Sequence, residues 1–134
     1  MKRIETVFVV DDDPITVFGI RKMLDSLGLC ENIITHSNGK KALDGIRERI
    51  ASNLDVPDVI FLDINMPVMD GWQFLEEFFA IPVQKTVRIN VLTSSIDPLD
   101  RQNWEKYRVR THHYIDFINK PLRFKDIEEI TRAA

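Results

Sequence analysis

Asp11, Asp12, Asp63, Thr93 and Lys120 are the residues of this chain whose types could together handle a phosphoryl group. Three carboxylates brought to one place repel each other and need a counter-ion. An all-oxygen donor set with room for water suits Mg²⁺ better than zinc or a dedicated calcium cage. Asp63 follows the apolar run VPDVIFL (56–62), and Ile64-Asn65-Met66-Pro67 then turns the chain away. A carboxylate oxygen at such an exit can attack phosphorus to give an aspartyl phosphate. That transfer asks the protein mainly for in-line positioning and for positive charge near the equatorial oxygens. Lys120 can supply the charge, and the Thr93 hydroxyl can donate a hydrogen bond to a phosphoryl oxygen.

These residues cooperate only if the surrounding elements bring them together. Glu5–Val10, Asn32–His36, Val56–Leu62, Thr86–Leu92 and Tyr114–Asn119 read as strands, rich in β-branched and aromatic residues. Arg88 and Asn90 sit awkwardly in the fourth, which is expected to be interior. Between the strands lie helical patterns. The first starts at Asp13-Pro14, an N-cap followed by a proline that needs no donor. It carries Val17, Ile20, Met23, Leu24 and Leu27 on one stripe and stops at Gly28. Lys40–Ile50, Trp72–Ala80, a segment opening at Asp97-Pro98, and Arg123–Ala133 supply the other helices. Strands alternating with helices imply βαβ units and a parallel sheet covered on both faces, an α/β doubly wound architecture. In such sheets ligands bind beyond the carboxyl ends of the strands. Asp11 and Asp12 end the first strand, Asp63 the third, Thr93 the fourth and Lys120 the fifth, so all five residues fall on that one edge.

The chain of 134 residues suits a single domain spanning 1–134, and the formal charge of −3 gives no general attraction to nucleic acid or to an anionic membrane. Lys106, Arg108, Arg110, His112 and His113 form a local basic patch, read as a solvated face rather than a nucleic-acid contact. No apolar run approaches the ~20 residues of a membrane span, and Met1-Lys2-Arg3-Ile4-Glu5 lacks the apolar stretch of a secretory signal. The single cysteine, Cys30, cannot form an internal disulfide. A cytoplasmic protein is expected.

VFVVDDDP at 7–14, VIFLDINMPVMDGWQFL at 59–75, VLTSS at 91–95 and INKPL at 118–122 stand in order across nearly the whole chain. With these pieces the sequence resembles the receiver domain of two-component response regulators, the chemotaxis-regulator-like superfamily. The resemblance implies a flavodoxin-like sheet of five strands in the order 2-1-3-4-5 with five helices. It implies Asp63 as phosphoacceptor, with Asp12 and Asp63 as Mg²⁺ ligands, Asp11 acting through water and Asn65 through its backbone carbonyl. Thr93 and Lys120 match the phosphoryl contacts, and Gly71 matches a glycine needed for a tight turn after the acceptor. The Lys120–Pro121 bond is implied to be cis. Phe117 and Thr93 match the switch pair, Phe117 coupling the site to the face made by the fourth helix, fifth strand and fifth helix. Asn65 and Ser95 match positions that tune phosphate lifetime. Asp13 falls outside the acidic pair and is assigned to helix capping.

The resemblance further implies a phosphodonor partner, a sensor histidine kinase or a histidine phosphotransfer protein, and an unidentified downstream protein. A stand-alone receiver that catalyses its own modification, not a turnover enzyme, is expected, because only Thr131-Arg132-Ala133-Ala134 completes the last helix. The alternative is a Mg²⁺-dependent phosphohydrolase of the haloacid-dehalogenase type, but its second aspartate would fall at Asn65. A flavin site is disfavoured by the acidic loop Asp11-Asp12-Asp13. Asp58, Asp97 and Asp100 are read as turn or cap residues. Phe74, Phe78 and Phe79 are read as core, Trp104 and Tyr107 as packing for the fourth helix, and His36, His112 and His113 as surface or strand-end residues.

Overall fold

Val7 and Val9 point to one face of the sheet and Phe8 and Val10 to the other, and all four are buried. A strand apolar on both faces belongs in the interior of a parallel sheet. In the computed structural model, which describes residues 3–133, this strand is β1 (Ile4–Val10). Met1, Lys2 and Ala134, the ends of the expected 1–134 span and of its N-terminal and C-terminal readings, lie outside the described residues. The elements follow as α1 (Pro14–Leu27), β2 (Cys30–His36), α2 (Gly39–Ala51), β3 (Val59–Asp63), α3 (Gly71–Phe79), β4 (Arg88–Thr93), α4 (Pro98–Arg108), β5 (Tyr114–Asn119) and α5 (Phe124–Ala133). The five strands are parallel in the order β2-β1-β3-β4-β5, as the resemblance implied. One core lies under α2 and α3, and the second under α1 and α5.

Local chemistry sets the helix ends. Asp13 caps α1, accepting from the Ile15 N–H at 3.1 Å and the Thr16 hydroxyl at 2.8 Å. Gly28 ends the helix at φ 64°, the left-handed conformation that favours glycine. Asp70 and Gln73 open α3 with a reciprocal capping box of 2.8 and 2.9 Å. Asp97 caps α4 through the Leu99 N–H at 3.0 Å.

Two strands start later than their apolar runs suggest. β3 begins at Val59 rather than Val56, because Pro57 has no N–H and Asp58 takes the backbone donors of Glu5 and Thr6, each at 3.1 Å. Asp58 is thus more than a turn residue: it clamps β1 to the entry of β3 and pairs with Lys85. β4 begins at Arg88 rather than Thr86, because the Val87 N–H leaves the ladder and donates to His113 Nδ1 at 2.9 Å. His113 is therefore not a surface residue but buried, against Phe78 at 5.1 Å between ring centroids. Burial and nearby His112 push its imidazole down to about 4.

The awkward polar residues of β4 find neighbours. Arg88 donates to Asp116 on β5 at 3.1 Å, and the buried Asn90 amide donates to the Ile60 carbonyl at 3.4 Å. The basic patch is partly neutralised. Arg110 makes a forked pair with Glu76 at 2.8 and 3.1 Å, and Arg108 meets Glu105 at 2.8 Å. Among the described residues no helix is long and apolar enough to cross a membrane.

Candidate functional site

The strand order reverses between β1, whose chain goes on to the outer β2, and β3, which starts the other half of the sheet. A crevice opens at such a point. Asp11 and Asp12 directly follow β1, Asp63 is the last residue of β3, Thr93 is the last of β4, and Lys120 follows β5. Parallel strands place all of these at one edge, because every carboxyl end points the same way.

Asp11, Asp12 and Asp63 each bring a carboxylate oxygen within 4.8 Å of the other two. Asp11 and Asp63 are buried, and Asp12 is exposed. Lys120 reaches in from the other side, 2.9 Å from Asp11 Oδ2 and 3.6 Å from Asp63 Oδ1. One ammonium thus faces three acids. Asp11 Oδ1 accepts the Asp13 N–H at 2.9 Å, while the buried Oδ2 is met by the Lys120 ammonium. Asp63 Oδ1 accepts the Asn65 N–H at 3.1 Å.

The Asp63 carboxyl is pushed up to about 6. Burial is the main cause, the Asn65 N–H works against it, and the charges of Asp11 and Asp12 add to it against Lys120. The Lys120 ammonium is held above its usual range: burial opposes its charge, but the hydrogen-bonded charge of Asp11 and the charge of Asp63 outweigh that. The site therefore sets three carboxylates against one ammonium and offers an oxygen-only carboxylate set. Such a set fits a small hard cation.

The loop after Asp63 doubles back tightly. A Cβ on Gly71 would lie 2.7 Å from Ile64 Cα and 2.8 Å from the Asp63 carbonyl oxygen. The glycine is required, but by close approach rather than by a left-handed turn. Positive φ falls instead on the exposed Val68, at 74°. The Lys120–Pro121 bond is cis, as the resemblance implied.

Thr93 is fully buried, and its Oγ1 accepts the Ser95 N–H at 2.9 Å. Phe117 is half-buried on β5, its ring 5.9 Å from that of Trp104 on α4. Trp104 has more to do than the packing read from sequence. Its indole N–H donates to the Ile115 carbonyl at 2.7 Å, and it is the aromatic neighbour of Phe117. The hint in the sequence was a large aromatic in a largely polar helix. The structure thus gathers Asp11, Asp12, Asp63 and Lys120 directly, with Asn65 bonded to Asp63 and the Thr93 carbonyl accepting the Lys120 N–H at 2.8 Å, while Phe117 lies outside the rim on the α4 side.

Comparisons with known proteins bear on the family and the fold. The family described as "Response regulator receiver domain" matches residues 7–132. A protein-glutamate methylesterase/protein-glutamine glutaminase of Methanococcoides burtonii is 34% identical over 91% of this chain and 31% of its own length. The two-component response regulator ARR11 of Arabidopsis thaliana is 32% identical over 92% of this chain and 21% of its own. The chain thus spans a third or less of these two relatives. The crystal structure of a two-component response regulator from Cytophaga hutchinsonii superposes with a TM-score of 0.80 at 25% identity, covering 98% of this chain and 97% of that one. With a doubly wound sheet, an acidic crevice and a sequence match over nearly every element, the chain belongs to the response regulator receiver domain family.

Proposed function

We propose that Asp63 accepts a phosphoryl group from a phosphohistidine of a sensor histidine kinase or a histidine phosphotransfer protein, in the cytoplasm. The observation that carries this reading is a buried carboxylate crowded by two other acids, with Lys120 3.6 Å away. A carboxylate oxygen of Asp63 forms the new O–P bond as the N–P bond of the donor breaks, and the departing imidazole takes up a proton. The described polar contacts of the Asp63 carboxylate fall on Oδ1, which leaves Oδ2 for the attack. Lys120 then meets charge on the phosphoryl oxygens, and the Thr93 hydroxyl turns to donate to one of them.

Asp11, Asp12, Asp63 and the backbone carbonyl of Asn65 would hold Mg²⁺, which when bound supplies positive charge to the acids and to the incoming group. Ile15 and Phe18, exposed on α1 beside a groove that includes Lys120 and Pro121, support docking of a protein phosphodonor on that side. The signal leaves through Phe117 and the α4, β5 and α5 face to a downstream protein. Partner binding that stays fully phosphorylation-dependent in Phe117→Ala would refute that exit. Asn65 offers no carboxyl for the acid–base work of a phosphohydrolase, so self-modification is favoured over turnover.

The test is incubation with Mg²⁺ and a small acyl phosphate, followed by intact mass. One added phosphoryl group is expected, removed by hydroxylamine, absent in Asp63→Asn and strongly reduced in Lys120→Met. A wild-type protein that gains no mass, or that turns over phosphate esters steadily, refutes the proposal.

A further inference from the structure

Gly19 lies inside α1 at a position that asks for no glycine. Its φ is not positive, and a Cβ added there would meet nothing within 4 Å. Neither a turn nor a close approach calls for it, yet glycine in a helix interior is less stable than alanine. What its bare Cα does is keep a space open. That space belongs to a groove of about 500 Å³. Met23 on α1 and Leu122 after β5 give the groove an apolar wall, which is continuous with the core around Ile20.

At its other end the groove meets the reaction rim. Lys120, Pro121 and Ser94 line it there, and Lys120 is the ammonium that also faces Asp11 and Asp63. Ser94 directly follows Thr93. Asp63 is not on the lining, so a chain lying in the groove does not crowd the attacking carboxylate. Asp13 is the one acid among the described lining residues, and both of its oxygens are turned to α1. Its Oδ1 accepts from the Ile15 N–H at 3.1 Å and its Oδ2 from the Thr16 hydroxyl at 2.8 Å. A cation at one end of an apolar channel fits an anion that carries an apolar tail.

From this we infer that the groove is a leaving-group subsite: Asp63 takes its phosphoryl group also from small acyl phosphates, and prefers those whose acyl chain is long enough to lie over Gly19. The inference rests on the function proposed above and deepens it by naming a class of donor. An Asp63 carboxylate oxygen forms the new O–P bond as the bond between phosphorus and the acyl oxygen breaks. That bonding pair departs with the acyl group, which leaves as a carboxylate and needs no proton at neutral pH. In-line displacement sets the leaving oxygen opposite Asp63, and the chain behind it runs along Met23 and Leu122. Gly19 touches the tail and no reacting atom, so it is a specificity-determining residue.

The experiment compares acetyl phosphate with hexanoyl phosphate, each with Mg²⁺, on the full chain as wild type, Gly19→Ala and Gly19→Leu. The rate of phosphoryl uptake is read by intact mass at low donor concentration. The two leaving carboxylates are of nearly equal basicity, so a difference in rate reports the chain. One buried methylene is worth about fourfold, and four partly buried ones should favour hexanoyl phosphate by at least about tenfold in wild type. Gly19→Ala should narrow that preference and Gly19→Leu, which fills the groove, should bring it close to one. Equal rates in wild type overturn the subsite, and so does a Gly19→Leu protein that keeps the preference. Should Gly19→Leu take phosphate from neither donor, Gly19→Ala decides, and an unchanged preference there overturns the subsite. A wild type that takes phosphate from neither donor refutes the proposed function instead. The groove is then judged with hexylphosphonate and methylphosphonate as unreactive probes. Only the hexyl compound should shift the amide resonances of Gly19, Met23 and Leu122, and a wild type that shows no such contrast overturns the groove as well.

Discussion

Replacing Asp63 by asparagine in protein freed of divalent cations should stabilise the fold, and should do so increasingly as pH rises. The Asp63 carboxyl stands at about 6 in the folded protein against 3.8 for the free side chain. At 1.36 kcal/mol for each tenfold change in proton affinity, this corresponds to roughly 3 kcal/mol. The sign follows from linkage. The folded state holds its proton between these values and the unfolded state has released it, so stability is full below 3.8 and falls as pH rises through 6. Most of the loss lies between about pH 4.5 and 7.5, where it amounts to roughly 2 kcal/mol. The Asp63→Asn variant would have no such loss, and its side-chain oxygen can still accept the Asn65 N–H.

Another buried group titrates over the same range with the opposite sign. His113 is held down at about 4 against 6.5 when free, so its contribution is complete above 6.5 and is lost as pH falls toward 4. In wild type the two slopes oppose each other, and a flat stability profile would hide both. The measurement is therefore the difference between wild type and Asp63→Asn in urea unfolding with chelator, from about pH 4.5 to 7.5. His113 cancels in that difference, while Asp11, Asp12 and Lys120, the charged groups facing Asp63, stay in it through their coupling to residue 63. The variant should gain on wild type by roughly 2 kcal/mol across the range. A gap that does not change with pH, or a variant less stable than wild type at the alkaline end, refutes the account of a strained acidic rim.

His113→Leu should lose the acceptor of the Val87 N–H and cost about 1–3 kcal/mol at neutral pH, yet lose less stability than wild type on acidification; urea unfolding at neutral and mildly acid pH checks both. Gly71→Ala forces a methyl to within 2.7 Å of Ile64 Cα. It should cost about 1–3 kcal/mol, seen as a lowered unfolding midpoint. Mg²⁺ should raise the unfolding midpoint of wild type in a concentration-dependent way by mass action, and Asp12→Asn should flatten that response in a calorimetric titration.

Much of the fold was legible because β1 and β3 are apolar on both faces and β3 stops abruptly at Asp63. Val59–Leu62 could hardly be anything but a buried strand, and the Asp-Pro pairs at 13–14 and 97–98 mark helix starts by chemistry alone. The misplaced boundaries have one kind of cause. Whether Val87 continues β4 depends on His113, 26 residues away, taking its N–H. Whether Val56 joins β3 depends on Asp58 serving the donors of β1. Neither bond has a local signature. The acidic rim, in contrast, was legible because strand ends carry position: once the strands are known to be parallel, their last residues must meet. The role of Trp104 was not, since the Trp104–Phe117 contact depends on how α4 is rotated against β5. α4 offers little apolar stripe to set that rotation, with Trp104 and Tyr107 its main inward aromatics.

Asp63 and His113 show what separates a site from a satisfied core. Both are buried, and burial moves each toward its neutral form, one upward and one downward. The ring of His113 lies among Phe78, Phe79 and His112, and its Nδ1 serves a backbone donor that would otherwise be orphaned. Removing its charge completes the arrangement, so nothing more is asked of it. Asp63 stands beside two further carboxylates that cannot all be neutralised by one ammonium. Giving it a proton relieves only part of the repulsion. A buried group whose neighbours already satisfy its neutral form is structural, whereas one whose neighbours still lack positive charge calls for something from outside the chain. On that criterion the Asp63 rim is short of positive charge, which is the ground for the cation proposed above, and the pH-dependent gap between wild type and Asp63→Asn measures how strongly.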